Sequence, residues 1–280
     1  MRQEVRYNWF AVFLHLRHCR FEILVEGLRL SVVSALAMLL GCQAVRAPET
    51  PMHVKTLLGE SNQRRTAIVL LPGFGDSEQT FADKGFIASI RRATKDADLV
   101  VTDAHFGYYR TRTLERRLAQ DVIEPLLQKG YRDIYLAGVS IGGYGAIGFA
   151  RLHPKHIRGL LLFAPYLGPQ NVLDEIKAAG GLCAYQGSRD TRNNDEGFSR
   201  QNFRWLRDNV CKPSAVAIYT VVGASDSLAP AIRELSSTLP KSHTLVLKGG
   251  HGWEVWTPAA EVLTQRALSS STSEVLPLSR

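Results

Sequence analysis

Short apolar runs alternate along the chain with longer segments whose apolar positions recur at helical spacing. Six runs are rich in β-branched residues, and their apolar residues are mostly consecutive rather than alternating with polar ones. They lie at 66–71, 97–102, 133–138, 157–164, 214–222 and 243–248. Such runs are typical of strands that are buried on both faces of a parallel sheet. Helical periodicity occurs between them, at 78–93, 113–129, 141–152, 229–239 and 253–267. This alternation predicts one doubly wound α/β domain over 65–267, in which helices flank a mostly parallel central sheet.

One stretch, 165–212, interrupts the alternation. It is rich in Gly, Asn and Arg, and its only helical patterns lie near 170–179 and 199–208. Because a long excursion between core strands is usually functional, we expect it to form a lid over a binding site, with a plain surface insertion as the alternative. Outside the domain, residues 42–64 are expected to form a linker and the Ser-rich residues 268–280 a flexible tail.

The N-terminal region contains an apolar run of about 12 residues between Arg29 and Cys42, which is typical of a signal peptide and too short to span a bilayer. Residues 39–42, Leu-Leu-Gly-Cys, resemble the lipobox of bacterial lipoproteins. The resemblance implies a leader over 1–41 and a lipid anchor on Cys42, with Gln43 indicating the outer membrane and a domain that faces the periplasm. An ordinary signal peptide or an uncleaved helix is the alternative.

Composition narrows the possible protein classes. The 280 residues are 45% hydrophobic and 21% charged, which excludes a disordered chain, and four cysteines are too few for a disulfide scaffold. Removing the leader lowers the net charge from +8 to +6, because the leader carries five basic and three acidic residues. The remaining basic residues are scattered rather than striped, which favours an anionic lipid surface over nucleic acid as a partner.

Two cysteines remain if Cys42 carries lipid. Cys183 and Cys211 then form an even pair, and an oxidising periplasm is where a structural disulfide persists. A disulfide between them is therefore expected, with two buried free thiols as the alternative.

A Gly-x-Ser-x-Gly motif, from Gly138 to Gly142, follows the third predicted strand and precedes a helical segment rich in Gly and Ala. A serine on a sharp strand-to-helix turn projects its hydroxyl above the sheet, and glycines are needed where the backbone doubles back. We therefore expect Ser140 to be a nucleophile, with a tight turn that carries an incidental serine as the alternative. The further glycines at 143, 145 and 148 disfavour a helix, and close packing of the helix on the sheet would explain them.

An acid and a base follow the serine at the ends of later strands. Asp226 lies in the turn 223–230 and His251 in the loop 249–253. Ligand sites of open α/β sheets form at the carboxyl ends of strands, and among the candidates only this pair lies at strand ends downstream of Ser140, which favours it over the others. Those candidates are Asp103, Asp190 and Asp195 as the acid and His105, His153, His156 and His243 as the base.

These motifs resemble the α/β-hydrolase family over roughly residues 65–267, and the order of Ser140, Asp226 and His251 is the order that the family requires. Residues 71–76 follow the first core strand, where the family places its oxyanion loop, with Pro72 in place of the common His. By this match, the backbone N–H groups of Phe74 and Ile141 would form the oxyanion hole; a simple Gly-rich turn is the alternative.

The resemblance implies a serine hydrolase that cleaves carboxylic esters through an acyl-enzyme intermediate, similar to a carboxylesterase or lipase. A thioesterase or acyltransferase uses the same triad and remains an alternative. A non-catalytic envelope binding module on the same scaffold is a second alternative, although all three catalytic positions are filled.

The segment after the second strand, 103–112, also lies at a strand end and is expected to border the substrate site. Tyr108 and Tyr109 could line an acyl pocket and Arg110 could attract an anionic group, whereas a loop packed by its own tyrosines is the alternative. The sequence contains neither a metal-ligand cluster nor a phosphate-binding loop, so we expect no cofactor. The expected partner is a small-molecule ester or lipid.

Overall fold

The computed structural model of the protein describes residues 46–61, 66–187, 194–212 and 216–272. The predicted leader, Cys42 and the tail beyond 272 lie outside the described residues. In the described parts of the chain, the strands form one seven-stranded sheet. They are β1 (Val54–Leu57), β2 (Thr66–Leu71), β3 (Asp98–Thr102), β4 (Asp133–Val139), β5 (Gly159–Phe163), β6 (Ala217–Gly223) and β7 (Thr244–Leu247).

The strands lie in the order β1-β3-β2-β4-β5-β6-β7. Every neighbouring pair is parallel except β1 and β3, which are antiparallel. The six predicted strands are confirmed as β2 to β7. β1 lies within 42–64, so the prediction of a linker is wrong there. An edge strand pairs on one side only, and the exposed and half-buried residues of β1 show no continuous apolar run.

Helices connect the parallel strands. They are α1 (Glu78–Asp83), α2 (Phe86–Ala93), α3 (Phe106–Arg110), α4 (Leu114–Arg117), α5 (Glu124–Gln128), α6 (Ile141–Leu152), α7 (Gln170–Ala178), α8 (Asp195–Val210), α9 (Ala229–Ser237) and α10 (Trp253–Thr272). A π-helical segment, Leu118–Ile123, joins α4 to α5, and 3₁₀ turns occur at Pro154–His156, Leu182–Ala184 and Lys241–His243. No helix in the described ranges is long and apolar enough to cross a membrane.

Two of the differences between the predicted and the observed helices concern the segments 78–93 and 253–267. The segment 78–93 forms two helices because Gly85 has a φ of 70°, a left-handed conformation that ends α1 and turns the chain into α2. At the C-terminus, α10 continues to Thr272, so residues 268–272 are helical and the predicted tail is shorter than expected.

The core lies on both faces of the sheet. Every residue of β3 and β5 is buried, as expected for central strands of a parallel sheet. α10 packs on α2, β5 and β6, while α6 packs on β2, β4, β5 and α8. The excursion 165–212 supplies α7 and α8, and the expected disulfide joins Cys183 to Cys211 with a Cα–Cα distance of 5.7 Å.

Candidate active site

Ser140 occupies a sharp turn between β4 and α6. Its φ of 52° lies in a region that residues with side chains rarely adopt. Two backbone hydrogen bonds hold the turn: the N–H of Ser140 donates to the carbonyl of Phe163 at 2.9 Å, and the carbonyl of Ser140 accepts from the N–H of Tyr166 at 3.0 Å. The end of β5 and the loop that follows it therefore keep the serine in its strained conformation.

Both glycines that flank Ser140 are required by close backbone contacts. A Cβ atom on Gly142 would lie 2.7 Å from the carbonyl oxygen of Pro72, and one on Gly138 would lie 2.5 Å from the nitrogen of Gly143. Since backbone atoms cannot move aside, any side chain at these positions would disrupt the turn, as the motif predicts.

The further glycines of α6 lie against side chains of neighbouring elements as well as against the sheet. A Cβ on Gly143 would lie 2.7 Å from the Pro165 side chain, and one on Gly148 would lie 2.7 Å from the ring of Phe198. Gly145 lies against Leu114 in the same way. These glycines leave room for side chains from α4, α8 and the loop at 165. Gly143 also lies against β4, where its Cβ would be 3.4 Å from the carbonyl oxygen of Gly138, so the predicted packing on the sheet is confirmed for Gly143. The nearest atoms to Gly145 and Gly148 are instead side chains of other helices.

His251 and Asp226 form a continuous hydrogen-bonded chain with the serine. His251 Nε2 lies 2.9 Å from Ser140 Oγ, and His251 Nδ1 lies 2.8 Å from Asp226 Oδ2. The side chain of Asp226 is fully buried, and its second oxygen accepts from the N–H of Leu228 at 2.8 Å. An ionised carboxylate only accepts hydrogen bonds, so Nδ1 carries the imidazole proton and Nε2 is free to accept one from Ser140.

The acid turn and the histidine loop are joined directly. The hydroxyl and the N–H of Ser225 both donate to the carbonyl of Gly249, at 2.7 and 3.0 Å. Trp256 contacts the imidazole of His251 edge to face, with ring centroids 5.0 Å apart. These contacts restrict the position and orientation of the imidazole.

The rival acids occupy other environments. Asp103 forms an ion pair with Arg46, and Asp195 is exposed and pairs with Arg112 at 3.2 Å. Asp190 lies outside the described residues. Within the described part of the chain, Asp226 is the acidic candidate that contacts the histidine beside Ser140.

The rival histidines also have local roles. His105 caps α3, where its Nδ1 accepts from the N–H of Gly107 at 3.1 Å. Burial, with a smaller contribution from Arg46, lowers the pKa of His105 to about 4. His243 contacts the carbonyl of Ile218 at 3.1 Å, and the remaining two candidates, His153 and His156, contact each other after α6.

A cavity of about 710 Å³ lies beside Ser140. Tyr109 and Arg110 line it, as expected. Tyr108 does not: its ring is buried, and its hydroxyl donates to the carbonyl of Glu49 at 3.0 Å. Adjacent residues of a helix point about 100° apart, and α3, which the sequence did not indicate, turns Tyr108 away from the cavity.

The loop 71–76 lies against the nucleophile turn. A Cβ on Gly73 would lie 3.7 Å from the Cβ of Ser140, and Phe74, which follows it, packs against Phe106 at the cavity wall with centroids 5.0 Å apart. Ile141 also lines the cavity and is the first residue of α6, where backbone N–H groups have no partner within the helix.

Part of the cavity wall was not anticipated from the sequence. Tyr144 follows Ser140 by one helical turn on α6, a spacing that could have indicated it. Tyr166, Asp195 and Phe198 belong to the excursion, which therefore forms a wall of the cavity as the lid prediction anticipated. Phe106 and Arg112 also line the cavity and belong to the segment 103–112, which was expected to border the site. The other unanticipated lining residues are Leu114, Glu115 and Leu228.

Solved structures share this architecture. A ferulic acid esterase is 15% identical with a TM-score of 0.55, and the match covers 77% of this chain and 93% of that chain. The chain has the α/β-hydrolase fold. A second structure is a fluorophosphonate-binding serine hydrolase of Staphylococcus aureus with bound substrate. It is 16% identical with a TM-score of 0.50, and the match covers 77% of this chain and 92% of that chain. No protein-family model and no curated protein matches the sequence.

In the described residues, no group of three or more His, Cys, Asp and Glu side chains could hold a metal ion.

Proposed function

We propose that this protein is a serine hydrolase that cleaves carboxylic esters through an acyl-enzyme intermediate. One observation carries the proposal: the hydrogen-bonded chain from Asp226 through His251 to Ser140, at a strained turn beside an apolar cavity. The shared fold supports it, since one of the structures with that fold is a ferulic acid esterase and another is a fluorophosphonate-binding serine hydrolase.

In the first half-reaction, each of the three hydrogen-bonded residues has one role. Ser140 Oγ attacks the carbonyl carbon of the ester while His251 Nε2 takes the hydroxyl proton. Asp226 keeps the other imidazole nitrogen protonated and stabilises the imidazolium that forms. The imidazolium then protonates the departing alkoxide, which leaves the acyl group on Ser140. Water attacks this ester with His251 again as the base, and the acid product is released.

The negative charge of the tetrahedral intermediate needs hydrogen-bond donors. We assign this role to the backbone N–H groups of Phe74 and Ile141, since both residues border the cavity next to Ser140. Ile141 also begins α6, and the dipole of a twelve-residue helix favours negative charge at its N-terminus.

Substitution of the triad tests the proposal on p-nitrophenyl esters. Ser140→Ala should abolish turnover and labelling by a fluorophosphonate probe, because no nucleophile remains. Asp226→Asn should lower kcat by about 10⁴-fold, since an amide no longer stabilises the productive tautomer. Asp103→Asn is the control for the acid, because Asp103 pairs with Arg46 away from the triad.

Circular dichroism should show that each variant is folded. A folded Ser140→Ala protein with the wild-type rate would refute the proposal. Product analysis with added alcohol or thiol acceptors separates hydrolysis from acyl transfer.

We further propose that Cys42 is lipidated and anchors the enzyme at the bacterial outer membrane, facing the periplasm. The Leu-Leu-Gly-Cys motif supports this location, and the Cys183–Cys211 disulfide suits an oxidising compartment. In cells that are fed labelled fatty acid, the wild-type protein should acquire label and sediment with membranes. Cys42→Ser should remain unlabelled, and an equally labelled variant would overturn the assignment.

A further inference from the structure

The loop that follows β2 contains a tight turn at residues 73–76. The N–H of Asp76 donates to the carbonyl of Gly73 at 3.2 Å, and Gly75, the third residue of the turn, has a φ of 79°. A positive φ at this position is the feature of a type II turn, where glycine is favoured. The hydrogen bond of the turn does not use the N–H of Phe74, and in the described parts of the chain that N–H donates to no backbone group.

The orientation of the Gly73–Phe74 peptide decides where the Phe74 N–H points. In a trans peptide the carbonyl and the N–H lie on opposite sides of one plane, so fixing the Gly73 carbonyl also fixes the Phe74 N–H. Asp76 holds that carbonyl through its own N–H. Hydrogen bonds weaken steeply when they are misaligned, and a shift of about 1 Å at a catalytic group can lower the rate by about 100-fold. The geometry of the turn therefore controls the proposed oxyanion donor.

The side chain of Asp76 holds the same glycine from its other side. Gly73 is buried, and a Cβ built on it would lie 2.7 Å from Asp76 Oδ2 and 3.7 Å from the Cβ of Ser140. Burial raises the pKa of Asp76, while hydrogen bonds from the Trp253 side chain and from the Gly73 backbone oppose that shift. Both donors are N–H groups, and a carboxylate has acceptors for both. Asp76 thus binds the N–H and the carbonyl of Gly73 beside the nucleophile.

Trp253 connects this loop to the catalytic histidine. It is the first residue of α10 and follows His251 by two positions. Its ring contacts Trp256 edge to face with centroids 5.1 Å apart, and Trp256 contacts the imidazole of His251 in the same way at 5.0 Å. The fully buried rings of Phe81 and Phe86 also pack against Trp253, at 5.8 and 5.6 Å. The indole that donates to Asp76 is therefore held in place by rings from three elements.

We propose that Asp76 is a positioning residue for ester hydrolysis. It orients the Gly73–Phe74 peptide so that the Phe74 N–H faces the oxyanion, and its bond to Trp253 fixes this donor relative to the histidine loop. Asp76 does not line the described cavity, so it acts through the peptide rather than on the ester. The inference rests on the hydrolysis proposed at Ser140 and on the assignment of the Phe74 N–H to the oxyanion hole.

Asp76→Asn tests this role, because it keeps the shape of the side chain while the amide nitrogen cannot accept a hydrogen bond. One of the two N–H donors then loses its acceptor. On p-nitrophenyl butyrate we expect kcat to fall by about tenfold or more with KM within about twofold of the wild type, since removing a whole oxyanion donor costs about 100- to 1000-fold in kcat. Asp83→Asn is the matched control: this exposed carboxylate on α1 accepts from Gln79 at 2.9 Å, and both constants should stay close to those of the wild type.

A thiono ester, in which sulfur replaces the carbonyl oxygen, separates the oxyanion hole from the triad. Sulfur accepts hydrogen bonds weakly, so the thiono ester gains less from the Phe74 N–H. The ratio of kcat/KM for the oxygen ester to that for the thiono ester should therefore shrink in Asp76→Asn by about the factor that kcat loses. Ser225→Ala removes a 2.7 Å hydrogen bond between the acid turn and the histidine loop, outside the oxyanion loop, and should leave this ratio unchanged.

Trp253→Phe is a second test of the same role. A phenyl ring retains part of the aromatic packing and removes the indole N–H that donates to Asp76. The ratio of the two esters should shrink in the same direction as in Asp76→Asn, by a smaller factor, because Gly73 still binds the carboxylate. Circular dichroism should show that each variant is folded.

The outcomes separate this inference from the proposed function. A folded Asp76→Asn protein with the kcat of the wild type, or an equal loss on the oxygen and thiono esters, would overturn the positioning role and leave hydrolysis at Ser140 intact. If Asp76→Asn does not fold, an unchanged ester ratio in Trp253→Phe would overturn it instead. Undiminished hydrolysis of p-nitrophenyl esters by Ser140→Ala would refute the proposed function itself.

Discussion

Ser140, Asp226 and His251 lie far apart in the sequence, yet each follows the carboxyl end of a parallel strand. Parallel strands bring these ends to one edge of the sheet, which is why a local motif at each strand end could indicate a shared site. The hydrogen-bond distances, 2.9 and 2.8 Å, depend on the turn conformations rather than on the motifs. The sequence therefore identifies the residues, and the fold sets their geometry.

At the scale of single residues, His105 makes stability depend on pH. Its folded pKa is about 4, against an ordinary value of 6.5, mainly because it is buried. Below pH 6.5 the unfolded chain binds a proton that the folded chain excludes, so the free energy of unfolding should fall as the pH drops from 6.5 towards 4. His105→Asn keeps an acceptor at the start of α3 and removes the titration.

Urea unfolding at several pH values measures this effect. The Asn variant should lose less stability than the wild type between pH 7 and 4.5. His156→Asn, at an exposed position, is the control and should follow the wild type. Parallel curves for His105→Asn and the wild type would contradict the assignment.

At the scale of secondary-structure elements, the glycines in and before α6 allow atoms of neighbouring elements to approach the helix closely. Gly138 and Gly142 could be assigned from the motif, because a serine on a strand-to-helix turn needs small neighbours. Pro165 and Phe198, which lie against Gly143 and Gly148, could not be assigned in this way, since both belong to the excursion 165–212. The sequence did not indicate α3 either, because its five residues are too few to show helical periodicity.

Gly142→Ala tests the close approach at this helix. The added Cβ would meet backbone oxygens of residues 71 and 72, which cannot move aside as a flexible side chain could. We expect a loss of about 3 kcal/mol, because overpacking outweighs the gain of about 1 kcal/mol from replacing Gly by Ala in a helix. Chemical denaturation measures the change.

Gly250→Ala is the matched control. A Cβ there would have no neighbour within 4 Å, although the residue adjoins His251. Equal stability losses in the two variants would show that contact with the backbone of 71–72 is not the cause.

At the scale of the whole molecule, the disulfide links two positions within the excursion 165–212. Cys183 and Cys211 are 28 residues apart, and the segment between them includes all of α8 with the cavity residues Asp195 and Phe198. A crosslink of this length restricts the unfolded chain and stabilises the fold by about 3.6 kcal/mol in the loop-entropy description.

The double variant Cys183→Ser/Cys211→Ser should lower the free energy of unfolding by about this amount. Reductant should lower the stability of the wild type to a similar level and leave the variant unchanged, which provides an internal control. Wild-type protein whose denaturation midpoint does not respond to reductant would contradict the prediction.

The order of strands and helices, the strained serine turn and the positions of the acid and base follow from local patterns: apolar runs, periodicity and residues at strand ends. The edge strand β1, the orientation of Tyr108 against Tyr109, and the aromatic lining of the cavity arise only in the tertiary structure. The reason is physical. A local pattern reports which residues avoid water, whereas a cavity is formed by side chains from separate elements, whose contacts depend on how those elements pack.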